Sequence, residues 1–511
     1  MPAEDALRTS HPLDHAAGPA ALASAAGDRG GFVRRAKIVA TLGPALDERD
    51  KLRAAVEAGI DVVRLNFSHG DHDTHAKRLE TVHECASRLG RGVGSIADLQ
   101  GPKIRLGTLP DGGIDVETGS EVYLLPGREH LEDYDSGGHV ALPVAYDYLA
   151  HDLQPGSLVL IDDGSLRLVV SRKDDEGVWA RVVAGGIAKS KKGVNLPGVA
   201  VSAPSLTEKD VADLKFAVEL GVDWIALSFV RHADDVVDAR NRIAGLGGEA
   251  PLISKMERPE SIENMLDVVA VSDALMVARG DLGVEIGPER VPAIQKAIIA
   301  EANAEGKPVI TATEMLESMI NSPRATRAEA SDVANAVFDG TDALMLSGET
   351  AAGKYPVEAV RTMARIIEVA EASPHLVDPQ PPSHSERSIG RIVAQAACQV
   401  AADVKATAIV VYSISGASIQ LVSKYRPAMP LVGLTPREAT VQRTALMWGT
   451  EAMMVPMKGQ STDLISAAER ILVDGHWAQH GDRVVLVSGT PGGQGGTNRI
   501  MVHRVGDPVG S

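Results

Sequence analysis

"AKIVATLGPALDERDKLRAAVEAG", residues 36–59, sets a short β-rich run before a stretch of helical spacing that a glycine closes. The unit repeats at once. "DVVRLNFS" (61–68) leads into a helical pattern ending near Leu89, and "VGSIADL" (93–99) is the next apolar run. After residue 198 the alternation resumes at "DWIALSFV" (223–230), "PLISKME" (251–257), "DALMVARG" (273–280), "KPVITATE" (307–314) and "TDALMLSGE" (341–349). Helical patterns such as "PERVPAIQKAIIAEANAEG" (288–306) separate them. Each of the eight strands is followed by a helix except the third, which a long segment follows. Such alternation implies a parallel sheet, and eight units imply a closed (β/α)8 barrel of the TIM type. A doubly wound open sheet is the alternative.

The barrel is expected over 34–102 and 199–371. The intervening 103–198 reads as an all-β domain, because "GIDVETGSEVYLLPG", "SLVLIDDGSLRLVVS" and "GVWARVVAGG" alternate and carry Asp-Gly and Gly-Ser turns. Inserted after strand three, it would overhang the carboxyl ends of the strands as a lid. A Pro/Ser-rich linker (372–388) precedes a third domain (389–511), whose apolar runs at 406–413, 429–435, 451–457 and 482–489 predict an open α/β fold. Residues 1–33, rich in Ala, Gly and Pro, predict a flexible tail without the basic start and apolar stretch of a signal peptide.

A net charge of −17 argues against nucleic acid or an anionic membrane as partner. The two cysteines, Cys85 and Cys398, lack metal-ligand spacing and suit a reducing cytoplasm. No apolar run approaches the ~18 residues of a membrane span. Gly-x-Ser-x-Gly, HExxH and Walker motifs are missing from the sequence.

In such barrels the reacting groups sit at the carboxyl ends of the strands. Strand two ends in Arg64, Asn66 and Ser68, which share one face. Strand three ends in Asp98, strand five in Lys255 and Glu257, and strand six in Arg279 and Asp281. Thr313 closes strand seven; Ser347 and Glu349 close strand eight. Singly, these read as strand-end salt bridges, turn aspartates or helix caps. Together, two carboxylates on neighbouring strands beside a lysine and arginines compose a site for a divalent metal and a phosphate.

The chain resembles the pyruvate kinase family from about Arg34 onward. The resemblance rests on "RLNFSHG" (64–70), "KKGVNLPG" (191–198), "LISKMERPESIENM" (252–265), "MVARGDLGVEI" (276–286) and "MLESMINSPRATRAEASDVANAVFDGTDALMLSGETA" (315–351). It implies transfer of a phosphoryl group from phosphoenolpyruvate to ADP, giving ATP and pyruvate in glycolysis. Glu257 and Asp281 would hold Mg2+ (or Mn2+). Lys255 would stabilise the transferring group and the enolate, and Thr313 would serve the proton-transfer step. Arg64 and Arg105 would contact phosphate, Asn66 and Lys192 the nucleotide, and the amides of Gly280 and Asp281 the substrate carboxylate. Met256 departs from the family's usual aliphatic residue and is expected to face away from the site.

Many members of the family need potassium, held by residues matching Asn66, Ser68 and Asp98 and by a carbonyl matching that of Leu99. They carry Thr, Lys and Glu where this chain has Leu99, Gln100 and Lys103. The chain resembles instead a potassium-independent subgroup. There the Lys103 ammonium would reach over the Gly101-Pro102 turn and replace the ion, bonded to Asp98 and Ser68. In the third domain "YSISGAS" (412–418) would cradle an effector phosphate through Ser413, Ser415, Gly416 and Ser418. The loop 489–498 has no basic residue for a second phosphate, which favours AMP or a sugar monophosphate, with Arg426 or Arg499 as other sources of charge. The family also implies a homotetramer. Two rival readings are another magnesium barrel acting on the pyruvate enolate and a catalytically silent sugar-phosphate sensor. The former lacks the β lid, and the latter would have lost Lys255, Glu257, Asp281 or Thr313.

Overall fold

The computed structural model describes residues 34–373, 388–456, 461–489 and 496–508. The expected tail (1–33), most of the linker and the middle of the loop 489–498 lie outside the described residues.

Strands one to eight are Lys37–Thr41, Val62–Asn66, Gly94–Asp98, Trp224–Leu227, Leu252–Met256, Ala274–Ala278, Val309–Ala312 and Ala343–Leu346. They close into a parallel barrel in which strand eight pairs with strand one, which excludes the open sheet. Both faces of each strand are covered, so they read as near-continuous apolar runs. Val39, Val62, Ile96, Trp224, Ile253 and Met276 fill the interior, whereas Ile38, Val63, Leu65 and Met256 pack beneath the helices. The register sets Asn66 beside Asp98, so the polar ends of strands two and three meet at one rim.

Local chemistry fixes the helices. Thr326 accepts from the Glu329 amide while the Glu329 carboxylate accepts from the Thr326 amide, a capping box that starts helix Arg327–Phe338. Thr207 and Asp210 repeat it for Glu208–Leu220, which Gly221 ends at φ 71°. The helical stretch expected between the first strand and Gly59 is split. Pro44–Leu46 forms a tight 3-10 turn, and the α-helix spans Arg49–Ala58.

The segment between strands three and four forms a six-stranded sheet and a two-stranded ribbon around its own core. Asp162 and Asp163 adopt left-handed conformations to join Leu158–Ile161 to Leu166–Lys173. A single helical turn, Leu149–Asp152, interrupts the strands. The chain returning to the barrel is gripped by two arginines: Arg231 donates to the carbonyls of Val201 and Ala203, and Arg258 to that of Val199.

The C-terminal domain holds helix Ile389–Asp403 and a five-stranded sheet. Its four parallel strands are Thr450–Met454, Leu431–Thr435, Ala408–Tyr412 and Arg483–Gly489. An antiparallel edge strand, Thr497–Arg504, was not among the sequence expectations. The domain seals the barrel floor, where Leu446 joins the interior cluster. Lys424 bonds Asp342 (2.8 Å) and Asn303 (2.6 Å), while Arg426 bonds Asp342 (3.0 Å) and the Gly340 carbonyl (2.6 Å) and lies over Trp448. Arg426 is therefore committed to this interface rather than to a phosphate. Among the described residues no helix is long and apolar enough to cross a membrane.

Candidate active site

Four of the expected residues converge in one buried network above the barrel core. Asp98, 1% exposed, receives Arg64 Nε at 2.6 Å and lies 3.5 Å from Lys255 Nζ. Burial alone would raise its pKa, but Lys255 and Arg64 outweigh burial and hold the carboxylate below its usual range. Arg64 also donates to Thr41 Oγ1 (3.1 Å). Lys255 sits between two carboxylates, with Glu257 Oε2 at 3.4 Å on its other side. Burial disfavours its charge, yet Asp98 and Glu257 prevail and raise its pKa, so the ammonium persists.

Glu257 is fully buried, and burial pushes its pKa up against the opposing pull of Lys255. Its Oε1 accepts from the Phe229 amide at 2.6 Å, while its Oε2 has no hydrogen-bond partner among the described residues. Its one charged neighbour, Lys255 Nζ at 3.4 Å, leaves this buried carboxylate oxygen under-satisfied and able to take a further ligand. Asp281, expected at the end of strand six, lies instead in the first turn of the helix Arg279–Ile286 that follows it, and is close enough to raise the pKa of Glu257. Two carboxylates with one such oxygen fit a hard divalent cation that completes its shell with water and substrate oxygens. Among the described residues there is no cluster of three or more His, Cys, Asp or Glu for a closed metal cage.

Strand seven ends in strain. Thr313 and Glu314 have φ of 70° and 54°, a region that non-glycine residues rarely occupy. The turn brings Thr313 Oγ1 to the Gly280 amide (2.7 Å), and the hydroxyl donates to the Ala312 carbonyl (2.6 Å). The Gly280 amide is thus already engaged by Thr313. Arg279 does not face an open site. It bonds the Thr313 carbonyl (2.7 Å) and Asp332 (2.7 Å), and so braces the same turn. Glu349 is fully buried and ties the Leu316 and Ser347 amides together.

Lys103 differs from expectation. Its Nζ lies 3.3 Å from Asp281 Oδ1, and neither Asp98 nor Ser68 is its hydrogen-bond partner. The reason is competition, since Asp98 is already held by two stronger-placed cations, Arg64 and Lys255. Ser68 donates its amide to Asn66 Oδ1 (3.2 Å). Arg105 and Lys192 both lie in the inserted domain. Arg105 donates to the Lys191 carbonyl (3.1 Å) and Lys192 pairs with Asp162 (2.8 Å). Burial, followed by Arg105, Arg64 and Lys103, depresses the pKa of His69, which puts these three cations around one loop.

Three residues escaped the sequence reading. Ser228 and Phe229, at the end of strand four, bind Lys255 (2.8 Å) and Glu257 respectively. His69 stands among the cations. The signal was present in "ALSFV", a hydroxyl after an apolar strand, as at strands two and eight.

The loop expected to take an effector is remote, in the C-terminal domain. Ser413 Oγ accepts from the Gly416 amide (3.0 Å), and Thr497 donates to Ser418 Oγ (2.6 Å), while Ser415 Oγ lies 3.4 Å from the Ala417 amide. Gly416 takes φ 89°, and Arg499 lies on the edge strand opposite Ser488.

Comparison with known proteins gives a consistent result. Residues 33–360 match the family model described as pyruvate kinase, barrel domain, and residues 391–503 match pyruvate kinase, alpha/beta domain. The chain is 46% identical over 478 residues to the pyruvate kinase of Mycobacterium tuberculosis, covering 93% of this chain and 99% of that one. It is 43% identical over 480 residues to that of Geobacillus stearothermophilus, covering 93% and 81%. A solved pyruvate kinase from Cryptosporidium parvum superposes with a TM-score of 0.85 at 34% identity, covering 92% of this chain and 96% of that one.

Proposed function

The chain belongs to the pyruvate kinase family, a family of phosphotransferases, and on that premise we propose how its own residues perform the reaction. The carrying observation is Lys255 suspended between Asp98 and Glu257, with Glu257 Oε2 held by that ion pair at 3.4 Å and by no hydrogen bond among the described residues. Phosphoenolpyruvate would dock with its phosphate toward Arg64 and Lys255. Phosphoryl transfer demands positioned positive charge more than a protein nucleophile. Lys255 meets that demand, because its carboxylate neighbours keep it charged despite burial. Glu257 and Asp281 would hold Mg2+ or Mn2+, which when bound supplies Lewis-acid polarisation of the phosphoryl and enolate oxygens. The same ammonium would stabilise the enolate left after transfer. Thr313, fixed by the Gly280 amide and the Ala312 carbonyl, would orient the proton delivered to the methylene carbon.

The inserted β domain would close over the site. Arg105 and Lys192 would then meet the nucleotide together with Asn66, and water, which competes with ADP as acceptor, would be excluded. Lys103 supplies a built-in cation 3.3 Å from Asp281, which supports activity without potassium. We assign the enzyme to the pyruvate-forming step of glycolysis in the cytoplasm, as a homotetramer. A phosphorylated effector, AMP or a sugar monophosphate, would bind Ser413, Ser415, Gly416 and Ser418.

The test is pyruvate formation from phosphoenolpyruvate and ADP. Lys255→Met should abolish it while circular dichroism and divalent-ion binding persist. Retention of more than about a hundredth of the parent rate would remove Lys255 from its assigned role.

A further inference from the structure

We propose that Ser228 is a positioning residue for phosphoryl transfer, and that the Ser228–Phe229 pair holds the catalytic ammonium and the metal-binding carboxylate in register. The inference rests on the roles given above to Lys255 and Glu257. Lys255 Nζ has three protons to place. Its shortest polar contact is to Ser228 Oγ, at 2.8 Å. Asp98 and Glu257 lie at 3.5 and 3.4 Å, where they attract the charge without fixing its direction.

The serine hydroxyl cannot easily reverse its role. Its proton goes to the Leu99 carbonyl at 2.6 Å, so its lone pairs face the ammonium. Lys255 is thereby anchored between the carboxylates rather than resting on either. The next residue completes the arrangement. Phe229 adopts φ 54°, and its amide donates to Glu257 Oε1 at 2.6 Å, leaving Oε2 with the 3.4 Å ion pair to Lys255 and no hydrogen bond among the described residues. One strained dipeptide therefore sets both groups.

The lid hinge packs directly on this pair. A Cβ at Gly101 would come within 2.7 Å of Phe229 Cδ2 and 2.9 Å of Ser228 Cβ. Only glycine allows that approach, and its φ of 70° also favours glycine.

Without the hydroxyl, Lys255 must fall onto a carboxylate. Asp98 already carries Arg64 at 2.6 Å, whereas Glu257 Oε2 has no competing donor among the described residues. The ammonium should therefore collapse onto Glu257, leaving the transferring group and obstructing the metal together.

The experiment uses the full-length enzyme with Ser228→Ala and Ser228→Thr. Turnover, the Michaelis constant for phosphoenolpyruvate, Mn2+ binding by electron paramagnetic resonance without substrates, and Tm are measured for each. The alanine variant should lose roughly ten- to a hundred-fold in kcat, as for loss of a preorganised donor or its support. Mn2+ binding should weaken several-fold, with KM and Tm near the parent's, and the threonine variant should recover most of the loss. An alanine variant within two-fold of the parent kcat, unchanged Mn2+ binding, or a folded threonine variant as impaired as alanine overturns the proposal. If Lys255→Met stays active, the assignment of Lys255 has failed; if it is inactive while Ser228→Ala is not, only the role of Ser228 has.

Discussion

Replacing Lys103 asks whether this chain carries its own monovalent cation. Lys103 Nζ is 3.3 Å from Asp281 Oδ1, and both side chains are about a quarter exposed, at 27% and 28%. Its stem runs along the returning hinge, with Cε 3.3 Å from where a Cβ at Gly193 would stand. The charge is thus held in place rather than swept through solvent. At that separation one charge pair is worth about 1 kcal/mol at the dielectric of water and about 5 at an effective value of 20. Quarter exposure sets the effect toward the lower end, about 1–2 kcal/mol for loss of the charge and roughly twice that for its reversal. Lys103→Met should then lower kcat about 5- to 30-fold in potassium-free buffer, and Lys103→Glu further. Potassium should restore much of the glutamate variant's loss and leave the parent nearly unchanged. The assay couples pyruvate to lactate dehydrogenase in tetramethylammonium buffers, with saturating phosphoenolpyruvate, ADP and Mg2+. Several-fold potassium activation of the parent, or a glutamate variant as active as the parent without potassium, would refute the reasoning.

Two further expectations concern regions away from the reacting atoms. Asp223, buried at the base of strand four, accepts from the amide and hydroxyl of Ser95, and burial raises its pKa to about 6 despite those bonds. Because the folded value exceeds the ordinary 3.8, its contribution to stability is complete below that value and fades as pH climbs through 6, by about 3 kcal/mol in all. Asp223→Asn should flatten the pH dependence of urea unfolding between acid and neutral pH, and an unaltered slope would contradict this account. In the C-terminal domain, AMP or a sugar monophosphate should activate the enzyme while fructose 1,6-bisphosphate does little; strong activation by the bisphosphate alone would reverse that assignment.

What the sequence revealed follows from which physical signals are periodic. The eight barrel strands were legible because burial on both faces leaves unbroken apolar runs, and helices with caps such as Thr326–Glu329 separate them. The polar strand ends were legible for the same reason, as interruptions of a strong pattern. The edge strand Thr497–Arg504 was not, because its burial alternates weakly and it follows a glycine-rich loop. Side-chain direction was the other gap. Nothing in "ARGDLG" tells that Arg279 turns back to Asp332 and Thr313, or that Lys103 takes Asp281 instead of Asp98. Those outcomes depend on competition among cations from separate segments of the chain, which spacing along a chain cannot express. Arg426, a plausible phosphate ligand by composition, is claimed by the barrel floor for the same reason.

The strained residues follow strands that are wholly buried. Phe229, Thr313 and Glu314 all take positive φ, at a cost of about 1–3 kcal/mol each. An aromatic and a β-branched side chain are poor choices for such turns, and local propensity would relax them. They persist because the strands beneath, Trp224–Leu227 and Val309–Ala312, are wholly buried and cannot follow a relaxing turn. The strain has definite products: an amide aimed at Glu257 from Phe229, and a hydroxyl set against the Gly280 amide from Thr313. Strands four and seven thereby orient groups on strands five and six, between them in the barrel. Glu257 and Gly280 are each held by a residue that follows an adjoining strand. The barrel's stability is converted into direction at the rim, and direction is what a buried ammonium between two carboxylates most needs.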